Sequence, residues 1–250
     1  MDFTLNTYNQ ILSELIQCGY EFQSFSDFIK NPKPKTVILR HDVDLRPKNS
    51  LEFARIQASK NIKGVYYFRS VPQSWDEKII KEISLIGHEI GYHYECLTTH
   101  KGNMNLAIEQ FKTDLAKLRE IANVDTICMH GSPMSKFDSK DLWKEYNYQD
   151  FGIIGEPYFD VNFNEVLYLT DTGRTWKNKK VSVRDHVESK YTFDISTSND
   201  IIEKLKKGDL PEQIMFNFHP QRWTNKPFQW TKELVFQNIK NQIKRVIVKA

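Results

Sequence analysis

Thr36–Asp44 reads TVILRHDVD. Its short apolar run, Val37–Leu39, leads into Arg40, His41 and two carboxylates, Asp42 and Asp44, two residues apart. Pro32 and Pro34 precede the run and Pro47 follows it, which predicts a buried strand. Charged side chains at the end of a buried strand are costly to keep dry. They are tolerable where that end opens into a polar cleft, the place where α/β proteins put their chemistry. The stretch therefore carries two readings. Asp42 and Asp44 are paired carboxylates with different jobs, one a base and one a cation ligand, or they form a salt-bridged strand end balanced by Arg40 or Arg46.

Outward from this strand, the chain alternates strands and helices. Before it, Tyr8, Ile11, Leu12, Leu15 and Ile16 mark an amphipathic helix stopped by Gly19, and a short segment, Phe22–Ile29, leads to the prolines. After it, Pro47 opens a helix to about Lys60. A strand VYYFR ends at Arg69, a helix spans Trp75–Ile86, and His88–His93 is the next strand, followed by a polar loop to Gly102. Asn103 caps a helix with Ile108, Phe111, Leu115 and Leu118 on its buried stripe. Asp125–Met129 is a strand ending in His130, and Asp138 or Ser139 caps a helix through Tyr146. Phe151–Ile154 and the alternating Glu165–Thr170 read as strands, the latter before a turn at Asp171–Gly173. Asn199–Lys207 is a helix, Gln213–Phe218 a strand ending at His219, and Trp230–Val248 a terminal helix. Such alternation implies parallel strands with crossover helices. Six or seven strands over this length favour one α/β domain built as a barrel or distorted barrel, with residues 1–35 as a helical extension.

Composition narrows the function. With 40% hydrophobic and 27% charged residues, the chain affords a full core. A net charge of +3 with scattered lysines argues against a nucleic-acid partner. Cys18, Cys96 and Cys128 are odd in number and lack C-x-x-C spacing, so neither a disulfide framework nor a structural zinc motif is expected. The opening MDFTLNTYNQ has no basic n-region or apolar core, and no stretch reaches the roughly 18 apolar residues of a membrane span. A cytoplasmic, soluble protein is expected.

The unusual residues share one position. Asp42 and Asp44, Arg69, His93, His130 and His219 each sit at or just past the carboxyl end of a different expected strand. In a barrel those ends converge on the face that carries active sites. A polar site of carboxylates and imidazoles implies a divalent metal, and O/N ligation suits zinc or another late first-row ion.

From Thr36 to His219 the chain resembles the polysaccharide deacetylase family, the NodB-like carbohydrate esterases of family 4, whose fold is a distorted (β/α) barrel. RHDVD resembles the family's first motif, which implies Asp42 as general base and Asp44 as metal ligand. GHEIGYH, Gly87–His93, resembles the phrase that delivers the first metal histidine, which implies His93. FNFHPQRW, Phe216–Trp223, resembles the closing strand whose histidine is the general acid, which implies His219. The chain also departs from the pattern. The second motif's further histidine falls on Leu97. His100 and His130 are then alternatives for the third ligand, with Glu95 another, and His130 is carried forward. The family's third-motif Arg, which orients the catalytic Asp, is missing from CMHGSP, leaving Arg69, Arg184 or Arg222 as substitutes. Arg69, Tyr94, Arg222 and Trp223 are assigned to the substrate, with backbone N–H groups around Pro133 or Tyr94 facing an oxyanion.

Other residues have blander readings. His88 belongs to structure, His41 to packing behind Asp42, and His186 to a solvated loop, while Trp176 and Trp223 are sugar platforms or core. The resemblance implies a zinc-type deacetylase acting on an N-acetylated sugar, expected to be a surface-glycan precursor. A metal-free amidohydrolase on the same scaffold and a catalytically silent glycan or partner binder are the alternatives.

Overall fold

The eight residues Thr36–Val43 are buried without exception and form the strand from which the sheet extends in both directions. The computed structural model describes residues 1–132, 134–177 and 185–247. In chain order the elements are α1 (Leu5–Gln17), β1 (Glu21–Gln23), α2 (Phe25–Lys30), β2 (Thr36–Val43), α3 (Pro47–Ala58), β3 (Val65–Phe68), α4 (Glu77–Leu85) and β4 (Glu89–Tyr94). There follow α5 (Cys96–Thr99), α6 (Met104–Arg119), β5 (Thr126–Met129), α7 (Pro157–Asp160), β6 (Leu167–Thr170), α8 (Ser198–Lys207), β7 (Gln213–Phe218) and α9 (Pro227–Ile247).

All strand pairs are parallel, and they run β5-β4-β3-β2-β7-β6 across one sheet. On one edge of β2, β1 pairs with the first residues and β3 with the last. The sequential strand order is that of a barrel wrapped from β2 through β3, β4 and β5 on one side and β7 and β6 on the other. Among the described residues, no pairing joins β5 to β6. The fold is a distorted, incompletely closed (β/α) barrel with flanking helices.

The period-2 alternation of strands sorts residues onto two faces. Val37, Leu39, Tyr66, Phe68, Ile90, Tyr92, Ile127, Ile214 and Phe216 join the large cluster packed against the helices. Ile38, Val65, Tyr67, Cys128, Tyr168 and Met215 form a smaller cluster on the opposite, inner face. Arg40 and Asp42 continue the inner row from Ile38. Gly91 of β4, the register partner of Tyr67, lies on the same inner face. A Cβ there would approach Tyr67 Cδ1 to 2.3 Å and the Thr126 carbonyl to 3.0 Å, so only glycine leaves room for the Tyr67 ring.

Side-chain caps begin several helices, Thr4 for α1, Ser24 for α2, Asp76 for α4, Asn103 for α6, and a Thr197–Asp200 capping box for α8. Three local expectations change. Phe151–Ile154 is not a strand. Tyr148–Phe151 is a tight 3-10 turn closed by Gly152 at φ 71°, and only Gly155 bridges to Thr126. The loop after His93 contains α5, and the helix expected through Tyr146 is a 3-10 turn over Ser139–Lys144. Residues 1–35 do more than add helix, since β1 pairs with β2.

His41 faces outward into a buried polar network. Its Nδ1–H donates to the Val65 carbonyl at 2.9 Å, while Nε2 lies 3.3 Å from the Tyr8 hydroxyl and 3.2 Å from Gln57 Nε2. Burial drives its pKa from 6.5 down to about 3. Below pH 6.5 the unfolded chain takes up a proton that the folded chain refuses, so stability falls as pH drops from 6.5 toward 3. The expected loss is about 2 kcal/mol by pH 5, read as the shift in urea midpoint, and His41→Gln flattens that slope. Gly91→Ala is expected to lower the midpoint at every pH, by about 1–3 kcal/mol or more, because the Tyr67 ring must move.

Candidate metal and catalytic centre

Inner-face geometry determines what the strand end presents. Arg40 and Asp42 are spaced by two and project to the inner side of β2, and Asp44 follows just past the strand end, where its N–H turns back to the Asp42 carbonyl at 3.1 Å. Arg40, 1% exposed, donates from Nε to Asp42 Oδ1 at 2.9 Å and from Nη2 to Oδ2 at 2.7 Å. Arg40 and Asn217 are register partners on β2 and β7, and Asn217 Nδ2 donates to Asp42 Oδ2 at 3.0 Å. Burial pushes the Asp42 carboxyl up, but Arg40 and then His93 and His219 outweigh it and hold it below the ordinary carboxylate range. The residue that orients Asp42 is therefore Arg40, two positions upstream. Arg69 and Arg222 are engaged elsewhere, and Arg184 lies outside the described residues.

Asp44, His93 and His130 converge. Asp44 Oδ1 is buried with no hydrogen-bond partner, 3.6 Å from His93 Nε2 and 3.5 Å from His130 Nε2. Donors at ~2.1 Å around a tetrahedral ion stand ~3.4 Å apart, so these separations fit a zinc-like centre. The far nitrogen of His93 supports the same reading. His93 Nδ1–H donates to the Cys128 carbonyl at 2.9 Å, which leaves the Nε2 lone pair facing Asp44. His130 Nδ1 lies 2.9 Å from Glu95 Oε2. Glu95 is itself gripped by Arg69, whose Nε and Nη2 reach it at 2.7–2.9 Å. Burial of Glu95 is outweighed by His130 and Arg69, which pull its pKa down to about 2. The other oxygen of Asp44, Oδ2, accepts from Gln221 Nε2 at 3.1 Å.

A second set of donors, Asp42, His93 and Cys128, also lies within 4.8 Å of one another. Burial raises the Cys128 thiol well above its ordinary pKa, and Asp42 is spent on Arg40. That set is the poorer cation site. His100 ends α5 and belongs to neither donor group.

His219, following β7, points its Nδ1 at Asp171 Oδ1, 2.6 Å away, and its Nε2 lies 3.9 Å from Asp44 Oδ2. Asp171, fully buried, also accepts the His219 backbone N–H and the indole N–H of Trp223 at 2.5 Å. Arg222 Nη1 donates to the Asp171 carboxylate at 3.1 Å and to its carbonyl at 2.7 Å.

These contacts correct the substrate assignments. Trp223 is 0% exposed, packed on Phe3, Tyr8, Phe53 and Phe218, and offers no face to a sugar. Trp176 is likewise core. Arg222 is buried on Asp171, and Arg69 is committed to Glu95. The Tyr94 side chain is buried, its hydroxyl accepting from Trp143 Nε1 at 2.8 Å. Pro133, named for the oxyanion, lies outside the described residues.

Sequence reasoning missed Asp171 and Asn217 and weighed Arg40 only as a charge balance. Counting back by two from Asp42 and from His219 reaches Arg40 and Asn217. Asp171 carried no signal beyond its place after β6. Asp185 was missed too. It accepts from the hydroxyls of Tyr158, at 2.9 Å, and Thr170, at 2.7 Å, and also bonds Tyr168 and Thr172 beside the Asp42 pair.

No protein-family model matches the chain, and no curated protein sequence does. Among solved structures it is similar to a CE4-family pseudoenzyme from Bacillus anthracis, at 14% identity and TM-score 0.47, covering 86% of this chain and 63% of that one. It is also similar to PdaA of Bacillus subtilis, a family 4 carbohydrate esterase, at 13% identity and TM-score 0.40, covering 92% and 84%. A third match is the peptidoglycan deacetylase PdaC of Bacillus subtilis, at 10% identity and TM-score 0.40, covering 86% and 98%. The chain spans under two thirds of the length of the Bacillus anthracis protein.

Titration with Zn2+ or Co2+ tests the donor assignment. Asp44→Ala, His93→Ala and His130→Ala are expected to abolish tight binding, Glu95→Gln to weaken it about 10- to 100-fold, and His100→Ala to leave it unchanged. Loss in His100→Ala with His130→Ala intact would move the third ligand.

Proposed function

We propose that this protein is a divalent-metal-dependent hydrolase that removes an N-acetyl group from an amino sugar. The observation that carries the proposal is a convergence at one end of the sheet. There an ionised, oriented carboxylate, a two-histidine, one-carboxylate donor set and an aspartate-backed histidine lie together. The likeness of RHDVD, GHEIGYH and FNFHPQRW to polysaccharide deacetylase motifs supports the acyl substrate.

Asp44, His93 and His130 would hold the ion, which when bound supplies Lewis acidity toward an amide carbonyl and a water. Asp42, kept charged by its surroundings, accepts the proton of the attacking water, and Arg40 and Asn217 fix the carboxylate plane during that transfer. His219 gives a proton from Nε2 to the departing amine. Asp171, accepting from Nδ1, stabilises the imidazolium that must form beforehand. Water is consumed, the C–N bond breaks, and acetate and a free amine leave. Among the described residues, no helix is long and apolar enough to cross a membrane.

The test is acetate release from N-acetylglucosamine oligomers, with metal content measured on protein purified without chelator. About one ion per chain and chelator-sensitive release are expected. Asp42→Asn should lower kcat by about 10²–10⁴ with the metal retained. Absence of metal after reconstitution, or release indifferent to Asp42→Asn, would overturn the proposal.

A further inference from the structure

Helix α9 is seated with its polarity reversed. Its inward residues are mostly polar. Trp230 donates from Nε1 to the Asp2 carbonyl at 2.7 Å, Glu233 pairs with Arg46 at 3.0 Å, Gln237 is 5% exposed, and Asn241 donates to the Gly173 carbonyl at 2.8 Å. Its outward residues are apolar. Phe228 is 83% exposed, and Val235, Phe236, Ile239 and Ile243 are each about half exposed. At 100° per residue these five fall in an arc about 100° wide, a continuous stripe of the kind a surface helix normally buries.

The charge around that stripe is one-sided. Among the described side chains, Lys226, Lys232 and Lys240 stand against the single acid Glu233, which is turned inward to Arg46, and in sequence residues 226–250 sum to +5. That segment alone exceeds the whole chain's net +3, so the remainder is net acidic. Lys232 lies within the stripe with its ammonium 5.8 Å over the Phe236 ring. A long side chain of this kind can leave its stem in an apolar layer and its charge at the phosphate level.

We propose that α9 docks the protein flat on an anionic lipid surface, the apolar stripe entering the headgroup–acyl boundary and the lysines meeting lipid phosphates. An apolar face rimmed by cations fits that partner. A second copy of the chain fits less well, because pairing two such helices sets like charges against each other. The proposal does not rest on the deacetylase reading. It does place a lipid surface beside the candidate site, since α9 is held by Arg46, Gly173 and Arg174 on the loops that follow β2 and β6.

The experiment is co-sedimentation of the intact chain with phosphatidylcholine vesicles, with and without phosphatidylglycerol, at low and high salt. Its oligomeric state is followed by light scattering and its fold by circular dichroism. Binding only to the phosphatidylglycerol vesicles is expected, weakened by salt and by about fivefold for each lysine removed in Lys232→Gln and Lys240→Gln. Phe236→Ser/Ile239→Ser should abolish it with the fold intact. Equal binding to both vesicles, no binding to either, or a lipid-free dimer dissolved by Phe236→Ser/Ile239→Ser would each overturn the proposal.

Discussion

The Arg40–Asp42 pair, nearly dry on the inner face of β2, is the interaction the candidate site depends on. Moving both charges out of water costs several kcal/mol each, and mutual attraction offsets that only with good geometry and further hydrogen bonds. The two-pronged contact supplies the geometry, Asn217 and the Tyr158 hydroxyl add hydrogen bonds, and the Tyr158 ring lies 5.0 Å from the guanidinium, while Arg40 Nη1 stays buried without a hydrogen-bond partner. A pair so constrained fixes the Asp42 carboxylate in rotation and position. Because Asp44 follows just past the strand end, the pair also decides where the cation donors must gather.

The same device recurs at each corner of the site. Arg69 grips Glu95, which meets His130, and Arg222 grips Asp171, which holds His219. In each case an arginine fixes a carboxylate, and the carboxylate fixes a working group or is one. The arrangement favours preorganisation over adaptability. Arg69 and Arg222 direct their charge to the carboxylates that align the imidazoles.

Much of this was readable in the chain. The strand ends after which Arg69, His130 and His219 fall, and the opposite facing of His41 and Asp42, follow from short apolar runs and a period of two. What was not readable is non-local. Trp223 looks like a platform in HPQRW, yet Phe3 and Tyr8 from the start of the chain close over it. Asp171 looks like a turn residue until β6 is laid against β7 in register, which brings it under His219. FGII at 151–154 has a strand-like composition, but Gly152 in a left-handed conformation turns the chain after a single helical turn.

Helix α9 shows how the barrel rim can be tied to an outer surface largely through polar contacts, with Trp230 and Leu234 only partly buried. Glu233 meets Arg46, whose Nη1 also reaches the Gln221 carbonyl at 3.4 Å, and the Gln221 side chain donates to Asp44. This is an unbroken run of polar contacts from the helix to the donor set. Burying the apolar stripe from outside would leave every one of these contacts intact, because they lie on the opposite face. Occupation of the stripe and assembly of the site are therefore compatible in one conformation. A helix attached through polar contacts keeps its apolar face available, where a conventionally seated one would have consumed it against the core.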